Sequence, residues 1–527
     1  MPIGTLATFF VLDWAVLAGY FVLLAATGYV FSRREQRTTD DYFLGGRRMP
    51  IWAVAVSIVA TSMSAASFVG VPQQGYAGDL TYLSTNLGMI IAAVVVALVF
   101  IPAFYRAGVS SIYGLLADRF SPAAMRAASL AFLAGRVMAS GARIYIGAIP
   151  LSLVLFGIED GMDPANLLTA IGVLTAVGIT YTFIGGIASV IWTDVIQMVV
   201  LLSAALLAIV VIVSRVEAPW SEVAAALRYG GDGLQSKLTL INTDPDPRVT
   251  FGLLTATVGF AVLVIGSYGT DQDLVQRMLT CKDAKAGSRS VMLGIFLGIP
   301  SVLVFLVVGL LLFVYYQRPE LMGAAAPAGP PTDERQVFLE FILEELPAGI
   351  PGLMMAGLFA AGLSSLNSAI NAMSSSLVSD FYRHAVPDRE PEHYVRVGRI
   401  CVVGFGVLLG VFAVVCVFWQ SASAESGDTL LTFALRVMTF AYSGLVGVFF
   451  AALLTTRGST RSVIASLVIG FVLVLSMEEA VWTAALGDDG AMPEWLRYVV
   501  SLAFAWKLTA AAAVSFTVAV LPKGRSA

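Results

Sequence analysis

Charge is scarce in this chain, and histidine and cysteine scarcer still. Only 13% of its 527 residues are Asp, Glu, Lys or Arg, too few to solvate the surface of a water-soluble protein. The net charge of −4 comes without any basic stripe, which argues against a nucleic-acid partner. The two histidines, His384 and His393, share one charged segment, and neither has a nucleophile or metal-ligand pattern beside it. Cys281, Cys401 and Cys416 are scattered with no metal spacing and read as free thiols. Long polar stretches are also missing. The longest, 214–250 and 317–350, cannot hold a catalytic domain, and the second contains the Pro/Gly-rich "AAAPAGPP". An enzyme is therefore not expected.

What fills the chain is apolar sequence: 58% of residues are hydrophobic and mean hydropathy is +0.85. A membrane span takes about 20 apolar residues to cross roughly 30 Å of hydrocarbon. Thirteen such stretches are expected, at 9–31, 50–70, 80–105, 127–157, 165–184, 187–213, 251–275, 290–316, 351–382, 396–420, 428–455, 460–476 and 498–521. Backbone groups in lipid must be satisfied within each segment, so these read as helices. No basic residue precedes the first, which is too long for a signal peptide. With the N-terminus outside, twenty of the 31 Lys and Arg fall on the inner side. Among them are Arg33, Arg34, Arg37, Arg277, Lys523 and Arg525, while Glu159, Asp160, Asp163, Asp488 and Asp489 fall outside. The positive-inside bias thus predicts an N-out, C-in protein of the cell membrane, such as a bacterial inner membrane.

Two spans look interrupted. Span 2 packs Thr61, Ser62, Ser64 and Ser67 among alanines at mid-membrane depth. Two readings are open, close helix packing or a broken helix whose freed carbonyls hold a cation. Span 7 places Ser267 and Tyr268 between Gly266 and Gly269, with Asp271 following. It reads as a Gly-rich helix end or as a second break. Span 2 enters from inside and span 7, five later, from outside. Spans 2–6 and 7–11 would then be inverted repeats, each opening on a broken helix. The implied divisions are 1–49, a first repeat at 50–213, a loop at 214–250, a second repeat at 251–455, and C-terminal spans at 456–527.

Span 9 sets Ala361, Ser364, Ser365 and Ser368 on one stripe. Hydroxyls and small side chains there suit either a desolvated Na⁺ or a serine packing seam. Asp194 lies inside apolar span 6, where a carboxylate costs about 3 kcal/mol or more and marks either an ion path or a structural polar contact. Arg143 in span 4 could clamp a substrate carboxylate or pair with a structural acid. Arg436 and Lys507 read as structural.

The stretches "DDYFLGGRRMPIWAVAVSIVATSMSA", "GGIASVIWTDVIQ", "GTDQDLVQR" and "GLSSLNSAINAMSSSLVSD", in this order, resemble the sodium:solute symporter family over nearly the whole chain. The resemblance implies the inverted-repeat fold of the bacterial leucine transporter, with one extra leading and two extra trailing helices. It implies a Na⁺ site built from the carbonyls of Ala60 and Met63 together with Ala361, Ser364 and Ser365. In some members a second Na⁺ is held at positions matching Asp194, Ser364, Asn367 and Ser368, and Asn367 departs from the serine found there. Where sugar carriers have a Gln past the break and an acid on the next span, this chain has Ser67 and Asn86. The expected function is Na⁺-coupled symport of a small solute, with Ser62, Ser67, Asn86, Arg143, Tyr268 and Asp271 as solute-binding candidates. An anionic carboxylate solute is favoured over a neutral sugar or polyol. A sensor would need a further domain, and the chain ends six residues after span 13. Function as a monomer in the bilayer is expected.

Overall fold

The computed structural model describes residues 9–32, 38–184, 186–229, 236–327, 329, 334–422, 430–486 and 492–521. Arg33, Arg34, Arg37, Asp488, Asp489, Lys523, Arg525, part of "AAAPAGPP" and the Glu159 side chain lie outside the described set. Among the described residues regular structure is helical, apart from one isolated bridge between Asn242 and Gly252.

In chain order the helices that matter here are α1 (Val11–Ser32), α2 (Thr39–Leu44), α3 (Ile51–Ser62) and α4 (Ala65–Ala77). They continue with α5 (Thr81–Ala107), α6 (Pro122–Gly157), α7 (Pro164–Ile184), α8 (Ile187–Ser214), α9 (Thr255–Thr270) and α10 (Gln272–Leu279). The remainder are α11 (Ala284–Gln317), α12 (Ile350–Ala385), α13 (Pro391–Trp419), α14 (Leu430–Leu454), α15 (Thr460–Ser476) and α16 (Phe504–Val520). Seven of them, α5, α6, α8, α11, α12, α13 and α14, are long and apolar enough to cross a membrane unaided. Expected spans 7 and 12 appear as shorter apolar helices of 10–17 residues, and spans 1 and 5 each have an apolar stretch of that length. Span 2 is two helices, not one.

The break in span 2 has a local cause. Ser62 Oγ donates back to the carbonyls of Ile58 (3.0 Å) and Val59 (2.9 Å), competing with the backbone ladder. Met63 (φ −84°, ψ 108°) and Ser64 then leave helical geometry before α4 begins. In span 7 the turn Gly266–Thr270 is widened into π-helix, and Asp271 (φ −100°, ψ 119°) is extended. The Asp271 side chain caps α10 by accepting from the Asp273 amide at 2.9 Å.

Small residues set the helix spacing around these breaks. A Cβ on Gly309 of α11 would lie 2.1 Å from the Pro72 carbonyl of α4, and one on Gly75 would lie 2.6 Å from the Leu306 carbonyl. Asp13, fully buried in the first turn of α1, accepts from the Gly349 (2.8 Å) and Gly352 (2.9 Å) amides at the start of α12. A carboxylate there satisfies orphan amides and complements the helix dipole. At the far end of α4, Lys237 donates to the Tyr76 (2.7 Å) and Ala77 (3.1 Å) carbonyls. Burial pulls its ammonium below the usual lysine value.

Gly309→Val should force α4 and α11 apart and lower stability by about 1–3 kcal/mol, read as a fall in the unfolding midpoint of the purified protein. An unchanged midpoint would show that the crossing is looser than the structure has it.

Candidate functional site

The broken end of α3 packs against the hydroxyl stripe of α12. At the break, the Ser64 amide donates to Ser67 Oγ (3.3 Å) and the Ser67 amide to the Ser64 carbonyl (2.9 Å). Neither turns back four residues, so the Ala60 and Met63 carbonyls lose their helical donors. Ser365 Oγ donates to the Thr61 carbonyl at 3.2 Å, and Thr61 Oγ1 lies 3.4 Å from Ser368 Oγ. Ala60, Met63, Ala361, Ser364 and Ser365 are all buried. The residues expected to hold Na⁺ therefore come together as uncharged oxygens, a donor set that fits a hard monovalent cation.

Asp194 enters from α8. Its carboxylate accepts from Ser57 Oγ (2.5 Å) and Ser364 Oγ (2.6 Å), and Arg277 Nη2 stands 3.3 Å away. Arg277 was read from the sequence as an inner-loop cation; it is fully buried instead. Its guanidinium also bonds Ser57 Oγ (2.9 Å), Asp273 (2.8 Å) and Ser368 Oγ. A protein cation thus already occupies the place beside Asp194 and Ser368 considered for a second Na⁺. Asn367, the third member of that set, turns to α7, where Oδ1 accepts from Thr182 at 2.7 Å.

The network continues through α10. Asp273 also pairs with Arg136 of α6. Arg136 reaches Asp271 at 2.9 Å, and Tyr442 Oη donates to the same carboxylate at 2.8 Å. Asp271, an expected solute contact, is absent from the cavity lining; it is committed to this ion pair. Three aspartates and two arginines are thus buried together on three helices. Sequence reading found Asp194 and Asp271 but missed Asp273 and Arg277. The signal available was their spacing four apart on one helix, the ion-pairing interval.

Beside the break lie two adjoining cavities of about 80 and 110 Å³. Ser62 and Tyr268 line both, Ser67 and Asn86 the first, and Arg143 the second. Arg143 donates to Met438 Sδ (3.2 Å), and no carboxylate among the described residues pairs with it. Asn86 Nδ2 bonds the Leu83 carbonyl (2.8 Å), leaving its buried Oδ1 without a protein partner. Five of the six solute-binding candidates therefore face the cavities. Arg436 and Lys507 both lie 3.8 Å from Glu478, on the far side of α14.

Known proteins resemble this chain in sequence and fold. The family model described as "Sodium:solute symporter family" matches residues 42–470. The sodium/sialic acid symporter SiaT of Proteus mirabilis is 30% identical over 473 residues, covering 88% of this chain and 89% of that protein. The human sodium/iodide cotransporter is 30% identical, covering 90% and 70%. The solved structure of a Na⁺-coupled sialic acid symporter, substrate-bound and outward-open, aligns with a TM-score of 0.76 at 26% identity. It covers 99% of this chain and 100% of that one.

Arg277→Gln should strand Asp194 as a buried charge and leave Asp273 to Arg136 alone, at a cost of about 3–5 kcal/mol. The double variant Arg277→Gln/Asp194→Asn should recover part of that loss in the same denaturation measurement. Equal stability of the single variant and wild type would mean that the pair carries no net energy.

Proposed function

Because the chain belongs to the sodium:solute symporter family, and is a multi-pass Na⁺-coupled secondary transporter rather than an enzyme, we propose that one Na⁺ bound between α3 and α12 drives uptake of a small carboxylate. The observation that carries the ion site is the pair of carbonyls, Ala60 and Met63, released beside Ser365. The ion ties the broken helix to α12 and favours one conformation by its differential affinity for the two. Asp194, Asn367 and Ser368 would hold a second Na⁺ only if Arg277 withdrew.

Arg143 carries the proposal for the solute. A cation facing a cavity inside a membrane protein, with no carboxylate of its own, is costly unless a ligand completes it. Ser62, Ser67, Asn86 and Tyr268 add hydroxyl, amide and phenol groups suited to a polyhydroxylated acid, in keeping with the sialic acid carried by two of the three relatives named above. A neutral sugar or polyol is the alternative, favoured by the unpartnered Asn86 Oδ1. Asp271 then acts through Arg136, outside the solute shell.

The wider frame follows the same logic. Counting the seven long helices, the four shorter apolar ones, broken span 2 and the bent pair Glu494–Val500 and Phe504–Val520 as spans gives thirteen. The breaks at Met63 and Asp271 open a 5+5 inverted repeat at 50–213 and 251–455, flanked by 1–49 and 456–527 with the loop 214–250 between. The N-terminus lies outside and the C-terminus inside a cell membrane, the transporter working as a monomer in the lipid bilayer. With that orientation, α10 plugs the inner exit. Tyr105 Oη bonds the Met278 (2.9 Å) and Cys281 (2.7 Å) carbonyls, and Gln276 bonds the Phe43 carbonyl (2.7 Å). The driving force suffices: a charge crossing 100 mV releases about 2.3 kcal/mol and a tenfold gradient about 1.4 kcal/mol. One ion carried with a monoanionic carboxylate moves no net charge, so the gradient alone supports roughly tenfold accumulation, against roughly several hundredfold for a neutral solute, which also gains the potential.

Uptake into proteoliposomes tests both parts. Ser365→Ala should raise the half-saturating Na⁺ concentration at least about tenfold, a loss on the order of 1.4 kcal/mol, with folding intact; an unchanged value removes the ion site. Arg143→Gln should raise the half-saturating solute concentration far more than that of Na⁺. A solute dependence identical to wild type would turn the reading to a neutral sugar or polyol.

A further inference from the structure

Behind the charge network the bundle has a recess that opens sideways. Gly135 of α6 and Ala441 of α14 touch there, each next in sequence to a residue that holds Asp271, Arg136 or Tyr442. A Cβ on Gly135 would lie 2.5 Å from Ala441 Cβ, and one on Gly444 would lie 2.7 Å from Leu467 Cα of α15. Helices α6 and α15 thus press onto α14 through glycines, and the surface between them is hollow. The cavity holds about 390 Å³.

Its walls are apolar. Leu130 and Ala134 on α6 and Ile464, Val468 and Phe471 on α15 line it, and all five are exposed. In a membrane-spanning bundle that exposure is to hydrocarbon. From Ala127 to Gly135 the recess climbs about 12 Å along α6, close to the roughly 15 Å of hydrocarbon in one leaflet.

Each wall has an arginine at its foot. Arg126, Leu130 and Ala134 follow at i, i+4 and i+8 on α6, and Arg461, Ile464 and Val468 at i, i+3 and i+7 on α15. Ser121 Oγ and Thr460 Oγ1 lie 2.8 Å apart, which brings the first turns of the two helices together. Both arginines are exposed, and among the described residues neither has a carboxylate partner. Arg126 Nε reaches the Pro122 carbonyl of its own turn at 3.4 Å. Neither 119–158 nor 429–477 contains an acidic residue. Helical side chains lean toward the helix N-terminus, so both guanidinium groups reach out of the hydrocarbon to headgroup level.

We propose that this recess binds an anionic phospholipid, one acyl chain lying on α14 between α6 and α15 and the phosphate held between Arg126 and Arg461. The lipid braces α6 and α14 behind the residues that hold Asp271. A second copy of the chain fits the recess poorly. A two-fold axis along the membrane normal would set these arginines against their own copies. The orientation given under the proposed function puts this end at the inner face, where anionic lipids concentrate.

The experiment measures the unfolding temperature of the purified full chain in non-ionic detergent, titrated with dioleoyl phosphatidylglycerol. Dioleoyl phosphatidylcholine and glycerol 1-phosphate are run beside it. No arm contains Na⁺ or solute, so the result stands apart from the transport reading. Phosphatidylglycerol should raise the midpoint of wild type, and the other two should not. Arg126→Gln/Arg461→Gln should raise the half-saturating lipid concentration about thirtyfold, the effect of two charges at a membrane surface. Lys282→Gln/Lys285→Gln, the same charge change at another exposed site, should titrate like wild type. Ala134→Phe fills the recess with both arginines in place and should weaken binding about tenfold, the loss of a couple of buried methylenes. Equal shifts with phosphatidylcholine, or equal losses in the arginine and lysine variants, would reduce the effect to bulk lipid or net charge and overturn the proposal. An unchanged Ala134→Phe, or a full shift with glycerol 1-phosphate, would remove the acyl chain from the site. A chain that light scattering finds dimeric, with Ala134→Phe monomeric, would give the recess to a second copy instead.

Discussion

Burying three aspartates and two arginines inside a helical membrane bundle is the constraint around which the rest of this molecule is arranged. Each charge alone would cost several kcal/mol in a low-dielectric interior, and only mutual pairing with satisfied hydrogen bonds brings that cost down. Arg277 and Arg136 do the pairing from opposite sides of Asp273, and Asp194 and Asp271 close the ends. The hydroxyls of Ser57, Ser364 and Tyr442 take up carboxylate lone pairs. Because members sit on α6, α8 and α10, with hydroxyl partners on α3, α12 and α14, the network fixes the relative placement of the elements that make the ion and solute sites.

That placement explains why the two breaks sit where they do. The break at Met63 frees carbonyls at the level of the Ser364–Ser365 turn, and the break at Asp271 turns a side chain into the cap of α10. Each gives up backbone hydrogen bonds that lipid could not replace, so each must be buried in protein. The first is covered by α12, the second by Arg136 and Tyr442. Polar groups in these places are thus the structural cost of interrupting a helix and, under the proposed function, the means of holding a cation. Arg277 adds a further coupling. Beside Asp194 and Ser368 it presents a fixed positive charge close to the site proposed for Na⁺, so any motion of α10 changes the electrostatics there.

The sequence by itself determined the class, because lipid leaves no choice: apolar runs without charge must be helices, and the length each needs follows from bilayer thickness. It also exposed the Met63 region, since small and hydroxylated residues at that depth have few other uses, and the stripe on α12, since helical periodicity alone puts those serines on one face. Arg143 was legible as an intramembrane cation for the same reason. What only the tertiary structure decided is which charges belong together. Arg277 and Asp194 are 83 residues apart and Arg136 and Asp271 are 135 apart, and no local pattern states that they meet. Arg277 reads as a loop cation because it follows an apolar run, and it becomes a buried partner only because α10 folds back under the break.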